Sequence, residues 1–310
     1  MIDAAFTEAV EPLRAALRLH CYRMLGSSHD SDDLVQETML RAWRARDTLE
    51  DPARLKPWLY RIATNACLDE LAKRPRRVLA SDHGPASPGG LYPPAAPIED
   101  APWLEPMPDA WLAGTSADPQ ARYTLRESVA LAFVAALQVL SPAQRATLLL
   151  RDVVGMSADE AAAALAQTAR AVESTLHRAR VAIDEKVGPR DAYAHAPADR
   201  DVLARYVRAV SDGDLDAMLA LIHDDMHTTM PPSPTWIRGR AENIAFYTRM
   251  FERFAGGVAR VLPIGVNGGA GFAFYREDVL RAIEAVEVRD AAIFRLHHFM
   301  QPALLPLFAQ

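Results

Sequence analysis

Cysteine is scarce in this sequence, and its scarcity excludes two classes of protein. The 310 residues include only two cysteines, Cys21 and Cys67, which lie far apart in the chain. Two isolated thiols supply neither the disulfide framework of a small secreted domain nor the ligand spacing of a structural zinc site. We therefore expect a reduced protein that holds no metal, and the sequence offers no motif that requires a cofactor.

Long apolar runs and a surplus of positive charge are also missing. No apolar stretch reaches the length of a membrane span, and the N-terminus, MIDAAFTEAVEPLR, is too polar and too acidic for a signal peptide. We expect a soluble, cytoplasmic protein with no membrane partner. The formal net charge is −6, whereas nucleic-acid binders are usually basic overall. Any contact with DNA must therefore depend on local clusters of basic residues.

Proline and charge are distributed unevenly, and this divides the chain. Residues 81–119 hold nine of the 22 prolines and six acidic residues but no lysine or arginine. They also lack helical periodicity, which predicts a proline-rich acidic linker. Helical spacing of apolar residues predicts all-α domains on either side, at 1–80 and 120–190. The last block, 195–310, begins with a helix and continues with strand-like alternation, which predicts an α+β domain.

Two capping boxes predict a helix-turn-helix within the second helical domain. The sequences SPAQ (141–144) and SADE (157–160) each begin a helix, and Thr168 can cap the next helix, predicted at Ala169–Lys186. That helix has one apolar stripe, formed by Val172, Leu176, Ala179 and Ile183. Its other face carries side chains that could reach a DNA major groove: Arg170, Glu173, Ser174, His177 and Arg178. An ordinary helical hairpin with a charged surface would give the same pattern.

Two longer motifs resemble a known family. DSDDLVQETMLRAWR, followed by LKPWLYRIATNACLDELAKRPRR, resembles region two of the extracytoplasmic-function sigma factors of bacterial RNA polymerase. LSPAQRATLLLRDVVGMSADEAAAALAQTARAVESTLHRARVAIDEKV resembles their region four. The motifs stand in the expected order and together cover about residues 5–187. The resemblance implies promoter-specific transcription initiation, with core RNA polymerase and promoter DNA as partners and no enzymatic reaction.

In that family, the first motif docks on the clamp coiled coil of the largest polymerase subunit. The resemblance therefore implies a polymerase-binding set of six residues: Asp32, Asp33, Leu34, Gln36, Glu37 and Leu40. Acidic residues at a helix N-terminus can also simply complement the helix dipole, which accounts for Asp32 and Asp33. It does not account for the apolar Leu40 beside them, and an acidic helix suits a basic partner surface.

The second part of the region-two motif, LKPWLYRIATNACLDELAKRPRR, supplies the residues expected to read the minus-ten element. Trp58, Arg61 and Asn65 are spaced to share one face of a helix predicted at 57–73. A planar ring, a fork of donors and an amide suit an unstacked base, and in the family the position of Asn65 lines the pocket for a flipped base. A basic run follows, expected to contact phosphates: Lys73, Arg74, Arg76 and Arg77. Core packing of Trp58 and a solvated helix end are the plainer interpretations.

The resemblance assigns the helix at Ala169–Lys186 to the minus-thirty-five element. Many relatives have a cation or an amide where this chain has Glu173. A carboxylate repels phosphate but can accept a hydrogen bond from cytosine N4. We therefore expect an unusual minus-thirty-five sequence.

The C-terminal block resembles SnoaL-like domains, in which helices wrap a curved sheet to form an apolar cone. The resemblance rests on LARYVRAVSDGDLDAMLALIHDDMHTTMPPSPTWIRGRAENIAFYTRMF and on the closing IFRLHHFMQPALLPLF. Predicted strands include Val258–Ile264, Phe272–Tyr275 and Ala292–Met300. Some family members are enzymes with an Asp–His pair, and the candidates here are His223, Asp224, Asp225, His227, Trp236 and Arg238. No acid–base pair emerges from them, because Asp224 and Asp225 are predicted to lie in a loop, and a fold alone does not give a function.

Two further features of this block have plain interpretations. His297 and His298 alternate along a predicted strand, so only one of them can face the cone. The glycine-rich GVNGGAG is predicted as a hairpin turn between strands rather than as a phosphate-binding loop.

The expected role of the C-terminal domain is regulation through a contact with the sigma core. The linker contains WLEPMPD and two tryptophans, Trp103 and Trp111, and large apolar residues rarely stay exposed without a partner surface. Two alternatives remain open from the residues: a stand-alone helix-turn-helix regulator with a ligand-sensing C-terminal domain, and an enzyme of the SnoaL type with a helical appendage.

Overall fold

A computed structural model describes residues 2–113, 119–187, 199–254 and 259–309. Contacts within the chain divide it into two compact units. The first comprises Met1–Arg77 and Trp111–Ala194, and the second comprises Val78–Ala110 and His195–Gln310. The segment between the two helical parts therefore belongs to the same unit as the C-terminal domain.

Four helices form the N-terminal module (residues 2–77). They are α1 (Ile2–Val10), α2 (Arg14–Leu25), α3 (Ser28–Ala45) and α4 (Leu55–Leu71). Gly26 ends α2 in the left-handed conformation, with φ of 66°. Glycine adopts this conformation without a steric clash because it has no Cβ atom. The Ser27 side chain then caps α3 by accepting a hydrogen bond from the backbone N–H of Asp30. The apolar faces of α2, α3 and α4 pack together, with Leu17 and Leu59 fully buried.

The helix-turn-helix module (residues 119–187) consists of five helices and the turns between them. These are α5 (Pro119–Val129), α6 (Leu131–Leu137), α7 (Pro142–Leu148), α8 (Ala158–Leu165) and α9 (Ala169–Val187). Both capping boxes form as predicted, at Ser141 and Ser157, and the Thr168 hydroxyl accepts from the N–H of Ala171 at 3.2 Å. A π-helical turn, Leu149–Val153, follows α7. The predicted stripe on α9 is buried throughout: Val172, Leu176, Ala179 and Ile183.

The two helical modules share a single apolar core. Residues of α4 such as Leu59 and Ala63 belong to the same buried cluster as Ala161 and Ala164 of α8, and the two helices pack against each other. The sequence predicts two separate helical domains at 1–80 and 120–190, whereas the structure places both in one unit. Local helical periodicity reveals which residues are buried but not which neighbour covers them.

Residues 78–110, here called the connector, are not a free linker. The connector includes the short turns at Ala80–Asp82 and the beginning of Asp109–Leu112, and it packs against the C-terminal domain. Its backbone N–H groups donate to that domain, for example from Ile98 to the carbonyl of Pro232 at 2.8 Å and from Ala95 to the hydroxyl of Thr235 at 2.8 Å. An extended proline-rich segment carries no periodic signal for such a partner, which lies more than a hundred residues further along the chain.

The C-terminal domain (residues 199–309) is α+β, as predicted. Its helices are α10 (Arg200–Asp212), α11 (Leu215–Leu219) and α12 (Arg240–Phe254), and its strands are β1 (Ile222–Thr229), β2 (Trp236–Arg238), β3 (Ala259–Val266), β4 (Gly269–Arg276), β5 (Val279–Arg289) and β6 (Ala292–Phe299). The strands form one sheet in the order β2-β1-β6-β5-β4-β3. Only the β1–β6 pair is parallel among the described strands. Buried residues of α10 and α12 complete the core, including Tyr206, Phe246 and Tyr247.

The glycine-rich segment is a hairpin turn, as predicted. Asn267 and Gly268 both have positive φ, 54° and 77°, and they join β3 to β4 where Val266 pairs with Gly269. An Asn-Gly pair is favoured in such two-residue turns because both positions require positive φ.

Candidate functional site

The predicted polymerase-binding residues separate into an exposed face and a buried side of α3. Asp33, Gln36, Glu37 and Leu40 are spaced i, i+3, i+4 and i+7 and lie on one face. Leu40 is the apolar member of this face and is 52% exposed. This face, Asp33–Gln36–Glu37–Leu40, is called the acidic face below.

The other two members of the predicted set do not belong to the acidic face. Leu34 packs against the apolar core, so it supports the helix from behind. Asp32 is half-buried and lies 3.5 Å from Arg18 of α2. Within the acidic face, Glu37 accepts a hydrogen bond from Arg41 at 2.8 Å, which lowers the pKa of Glu37. The carboxylate therefore stays ionised across the physiological pH range.

Trp58 is buried, so its ring does not form part of an exposed base-reading surface. It is 9% exposed and meets the ring of Phe6 edge-on, with centroids 6.3 Å apart. Helix α1 covers this end of α4, a tertiary contact that helical spacing does not predict. The plainer interpretation, core packing, describes Trp58.

Arg61 and Asn65 are exposed on α4, one turn apart. Both side chains are accessible to a ligand on the surface of the N-terminal module. The neighbouring Thr64 points inward and bonds to the buried ring of His20 at 2.9 Å, which helps to orient this part of the helix. Arg61 and Asn65 are therefore the two predicted minus-ten residues on α4 that the structure leaves available.

The basic run after α4 is tied to nearby carboxylates. Arg74 lies 2.8 Å from Asp30, Arg77 contacts the other oxygen of the same carboxylate, and Lys73 lies 3.5 Å from Glu70. The backbone N–H of Asp30 donates the hydrogen bond that the Ser27 side chain accepts at the start of α3. A phosphate approaching this surface would therefore compete with intramolecular ion pairs.

The recognition helix α9 presents every predicted residue to solvent. Arg170, Glu173, Ser174, His177 and Arg178 are all exposed on the side opposite the buried stripe. Glu173 lies 3.0 Å from Arg151 of the π-helical turn. The ion pair partly neutralises the carboxylate that departs from the family pattern and holds its position. Arg178 donates to the hydroxyl of Thr175 at 3.1 Å.

The predicted catalytic candidates of the C-terminal domain do not assemble into an acid–base pair. Asp224 and Asp225 lie on strand β1, not in the loop predicted for them, and both are exposed. His223 lies 3.5 Å from the exposed Asp290. His227 stacks near Trp236, with ring centroids 6.1 Å apart, and burial lowers its pKa. For the two remaining candidates, the Trp236 ring donates to the carbonyl of Gly84 in the connector, and Arg238 is exposed.

A buried polar network on the sheet face covered by α10 and α12 was missed by sequence reasoning. Glu284 is 3% exposed; it accepts a hydrogen bond from the Tyr206 hydroxyl at 2.7 Å and lies 3.0 Å from His298. His298 also contacts the Tyr247 hydroxyl at 3.2 Å. His297 points the other way and bonds to Thr229 at 2.8 Å, in agreement with the predicted alternation. Glu284 and Glu287 interrupt the otherwise apolar segment AIEAVEV of β5, and an acid placed between apolar strand residues is the signal that could have revealed the network.

The Tyr206 hydroxyl contacts the buried Glu284 carboxylate, so ionisation of the tyrosine is unfavourable. Burial and the adjacent carboxylate raise the pKa of Tyr206 well above its usual value, and burial raises that of Tyr247. Both tyrosines therefore remain protonated donors. The groups satisfy one another, as buried polar groups generally do.

A second feature that the sequence did not reveal is the contact between the connector and the β3–β4 hairpin. The backbone N–H of Met107 donates to the Asn267 side chain at 3.0 Å, and the N–H of Asn267 donates back to the carbonyl of Met107 at 3.0 Å. The Asp109 carboxylate accepts from the N–H of Gly268 at 2.6 Å. Trp103 and Leu104 are buried nearby in sequence, each 3% exposed. The connector is thus held by reciprocal hydrogen bonds as well as by apolar burial.

Models of three protein families match successive parts of the chain. Sigma-70 region 2 matches residues 9–77, Sigma-70 region 4 matches residues 130–183, and the SnoaL-like domain matches residues 203–298. The first two matches fall on the two helical modules, and the third falls on the C-terminal domain.

Two curated relatives match nearly the whole of this chain. The chain is 38% identical to the ECF RNA polymerase sigma factor SigG of Mycobacterium tuberculosis, over 98% of this chain and 83% of that protein. It is 28% identical to the ECF RNA polymerase sigma factor SigJ of the same organism, over 94% of this chain and 90% of that protein. The crystal structure of SigJ matches with a TM-score of 0.62 at 24% identity, covering 95% of this chain and 96% of that chain. That structural match shows a shared fold.

Proposed function

The chain belongs to the extracytoplasmic-function family of RNA polymerase sigma factors. On that premise we propose which of its surfaces bind the polymerase and which bind each promoter element. As a sigma factor it directs transcription, and the stand-alone regulator is not favoured. The resemblance inferred from the sequence motifs is therefore confirmed. The assignments of individual residues that follow are proposals.

The acidic face of α3 is the proposed docking surface for core RNA polymerase. Its support is the combination of two carboxylates, the exposed Asp33 and the half-buried Glu37, with the exposed Leu40. Carboxylates steer the helix to a basic partner, and burial of an apolar side chain at the centre of a contact contributes affinity that is less sensitive to salt. Leu34 supports this face from the core and does not touch the partner.

Arg61 and Asn65 are the proposed readers of the minus-ten element. An amide can pair with the edge of an unstacked base, and a guanidinium can stack on a base or bind a phosphate. Trp58 contributes by anchoring the start of α4 against α1. The basic run at 73–77 binds the phosphate backbone after its cations exchange their carboxylate partners for phosphates, with release of counterions.

Helix α9 is the proposed reader of the minus-thirty-five element. Its exposed residues stand on a helix whose opposite side is completely buried, the arrangement of a recognition helix in a major groove. Arg170 and Arg178 bind phosphate or guanine, and Glu173 accepts from cytosine N4. The Arg151–Glu173 pair orients the carboxylate for that contact.

The proposed role of the C-terminal domain is to regulate the sigma modules through the connector rather than to catalyse a reaction. The connector joins the two DNA-reading modules in the chain, and in the structure it packs on the C-terminal domain. Any change in that packing alters the length of chain free to link the modules. Because the domain is covalently attached, even a weak contact acts at high effective concentration. A direct contact with the sigma core, as predicted from the sequence, would add to this effect.

The observation that carries the proposed function is the similarity to SigG over 98% of this chain, together with exposure of both reading faces. Run-off transcription with core enzyme on a pool of genomic fragments tests it. We expect transcripts from a small set of promoters that share a minus-ten and a minus-thirty-five element. A protein that binds DNA specifically but yields no transcript with core enzyme would contradict the proposal. Action on the polymerase also places the protein in the cytoplasm. No helix of the described residues is long and apolar enough to cross a membrane.

A further inference from the structure

The two cysteines of the chain, which lie far apart in the sequence, meet in the core of the N-terminal module. Cys21 lies on α2 and Cys67 lies on α4, and both are 0% exposed. The two helices pack against each other, and the ring of His20 bonds to the Thr64 hydroxyl across this contact at 2.9 Å. The two thiols share a hydrogen bond. Spacing in the sequence indicated no metal ligands, whereas the fold brings two soft sulfur ligands together.

A buried cation lies beside this pair of thiols. Arg145 of α7 is 2% exposed, and its Nη1 donates to the backbone carbonyl of Met24, one helical turn beyond Cys21 on α2. The charge of Arg145 interacts with the sulfur of Cys67. Burial lowers the pKa of Arg145 to about 10, so the guanidinium stays charged near neutral pH.

The hydrogen bonds of Arg145 do not compensate this charge. They end on neutral oxygens: the carbonyl of Met24, the side chain of Gln138 at 2.8 Å and the carbonyl of Leu140 at 3.3 Å. Among the described residues its Nε is buried without a hydrogen-bond partner. A buried cation loses hydration that neutral acceptors restore only in part. A negative charge placed at the cysteine pair would therefore be stabilised.

We propose that Cys21 and Cys67 form a two-coordinate site for the soft monovalent ion Cu(I), with Arg145 as the balancing cation. Coordination replaces both thiol protons by one metal ion, so Cu⁺ and two RSH give [Cu(SR)₂]⁻ and two H⁺. The complex carries one negative charge, and the buried guanidinium supplies the positive charge opposite it. The site does not depend on the proposed function.

The number and type of ligands select the metal ion. Thiolate sulfur favours Cu(I) over hard ions such as Mg²⁺ and Ca²⁺. A structural zinc ion takes four ligands, and among the residues that the structure describes no three His, Cys, Asp or Glu side chains are placed to hold a metal ion. A divalent ion between two thiolates would form a neutral complex and leave Arg145 without a counter-charge. A monovalent soft ion fits both the ligand count and the charge.

The surroundings of the thiols favour coordination over oxidation to a disulfide. Burial, together with the hydrogen bond to Cys21, raises the pKa of Cys67 well above its usual value. Oxidation by a peroxide begins with a thiolate, which such a pKa keeps scarce. A coordinating metal ion instead displaces the thiol proton itself. A disulfide is also neutral and would leave the charge of Arg145 uncompensated.

One carboxylate near the pair opposes an anionic complex. Glu70 lies one turn beyond Cys67 on α4, and its charge acts on the Cys67 sulfur. Its carboxylate is itself paired, however, at 2.5 Å from Arg74 and 3.5 Å from Lys73. These two cations reduce the repulsion that Glu70 would exert on a bound Cu(I) complex.

Anaerobic titration of the full-length chain with Cu(I), in competition with a chromophoric Cu(I) chelator, tests the site. We expect one ion per chain, a thiolate-to-copper absorption band in the ultraviolet and two sulfur ligands in the X-ray absorption spectrum. Cys21→Ala and Cys67→Ala should each abolish this one-to-one binding, and Zn(II) should not compete, because a third ligand is missing. Wild-type affinity in either folded cysteine variant, or equal competition by Zn(II), would overturn the site.

The role of Arg145 has a separate measurement. Arg145→Gln should weaken Cu(I) binding by roughly 10–100-fold, as loss of a partner outside the ligand set generally does, and Arg145→Lys should restore part of the affinity because it keeps the charge. Arg151→Gln is the matched control, because Arg151 bonds elsewhere, to Met156 and Glu173. Equal affinity of folded Arg145→Gln and the wild type would refute the charge balance.

Circular dichroism of each variant establishes that its helices are retained. If a cysteine variant does not fold, the X-ray absorption spectrum of the wild type with Cu(I) decides the question. Two sulfur ligands in linear geometry support the site, and nitrogen or oxygen ligands, or a third sulfur from a second chain, overturn it.

Discussion

Asn267 and Met107 exchange two hydrogen bonds, each 3.0 Å long, although 160 residues separate them in the chain. One bond runs from the Met107 N–H to the Asn267 side chain, and the other runs from the Asn267 N–H to the Met107 carbonyl. Both residues are almost completely buried. The same asparagine adopts the positive φ that the β3–β4 turn requires. Asn267 therefore serves both the hairpin and the connector.

We predict that Asn267→Gly loosens the connector without disrupting the hairpin. Glycine tolerates the positive φ, but the buried N–H of Met107 loses its acceptor, which costs about 1–3 kcal/mol. Urea unfolding should show this loss, and limited proteolysis should cleave within residues 78–110 more rapidly. Asp290→Gly is the control, because Asp290 also has positive φ, at the β5–β6 turn, and is 82% exposed. Equal proteolysis of the two variants would contradict the role given to Asn267.

Docking on the polymerase should depend on the charges of the acidic face. We predict that Asp33→Arg together with Glu37→Arg abolishes binding to core enzyme in a pull-down, with a loss of roughly 2–5 kcal/mol if the pairs are buried on binding. Folding should be nearly unaffected, since a like-charge pair with Arg41 costs only about 0.2–0.5 kcal/mol. Asp47→Arg, at an exposed acid outside this face, is the control. Wild-type affinity in the double variant would refute the docking surface.

Asn65 should matter more for promoter melting than for initial binding. We predict that Asn65→Ala leaves closed-complex formation nearly intact but reduces permanganate reactivity of the minus-ten thymines. The amide would contact a base only after that base leaves the stack. Asp69→Ala, one turn further along the exposed side of α4, should melt the promoter normally. Normal melting and an unchanged minus-ten preference in Asn65→Ala would show that Asn65 does not read a base.

Stability of the N-terminal module should decline in mild acid because of His20. Burial lowers the pKa of His20 to about 3, whereas an unfolded histidine titrates near ~6.5. Between these two pKa values His20 is protonated in the unfolded chain but neutral in the folded chain. The contribution of neutral His20 to the free energy of unfolding is therefore complete above pH ~6.5 and is lost as the pH falls. The loss amounts to about 2 kcal/mol between pH ~6.5 and ~5. Unfolding of His20→Gln by urea should show a smaller pH dependence over this range, and an equal slope would contradict the assignment.

Local signals in the sequence predicted the helical modules well. Capping boxes at Ser141 and Ser157 involve residues three positions apart, so the motif contains both partners of each hydrogen bond. The apolar stripe and the exposed face of α9 likewise follow from its helical period. The polar turn at Asn267-Gly268 required nothing beyond its two residues.

Features that depend on distant partners were not predictable in the same way. Helical spacing grouped Trp58 with Arg61 and Asn65, but it could not reveal that Phe6 of α1 covers the first turns of α4. Acid–base reasoning from neighbouring residues selected the His223 region, whereas Glu284 meets His298 through pairing of β5 with β6. Contacts of that kind depend on tertiary structure rather than on motif.

The two tryptophans of the predicted linker belong to different units, which gives the regulatory proposal a specific test. Trp103 lies in the second unit, beside the ring of His83 and with its N–H bonded to the carbonyl of Ile98 at 2.9 Å. Trp111 lies in the first unit, under the guanidinium of Arg18 and edge-on to Tyr22. The sequence treats them as one apolar pair, but the structure predicts separate consequences for their loss.

Deletion of residues 195–310 should expose the apolar part of the connector and change transcription. Trp103, Leu104 and Met107 are buried in a unit that no longer exists after truncation, so binding of a hydrophobic dye should rise. Run-off transcription should differ from that of the full chain, most strongly at low salt, where attraction between the acidic domain and the basic DNA-reading segments is least screened.

Trp103→Ala should reproduce part of the change in transcription caused by the truncation. Trp111→Ala should act mainly on the stability of the first unit, since removal of a buried tryptophan costs about 3–5 kcal/mol. If the truncated protein transcribes like the full chain at every salt concentration, regulation through the connector is wrong, and a separate ligand-binding role becomes the better explanation of the domain.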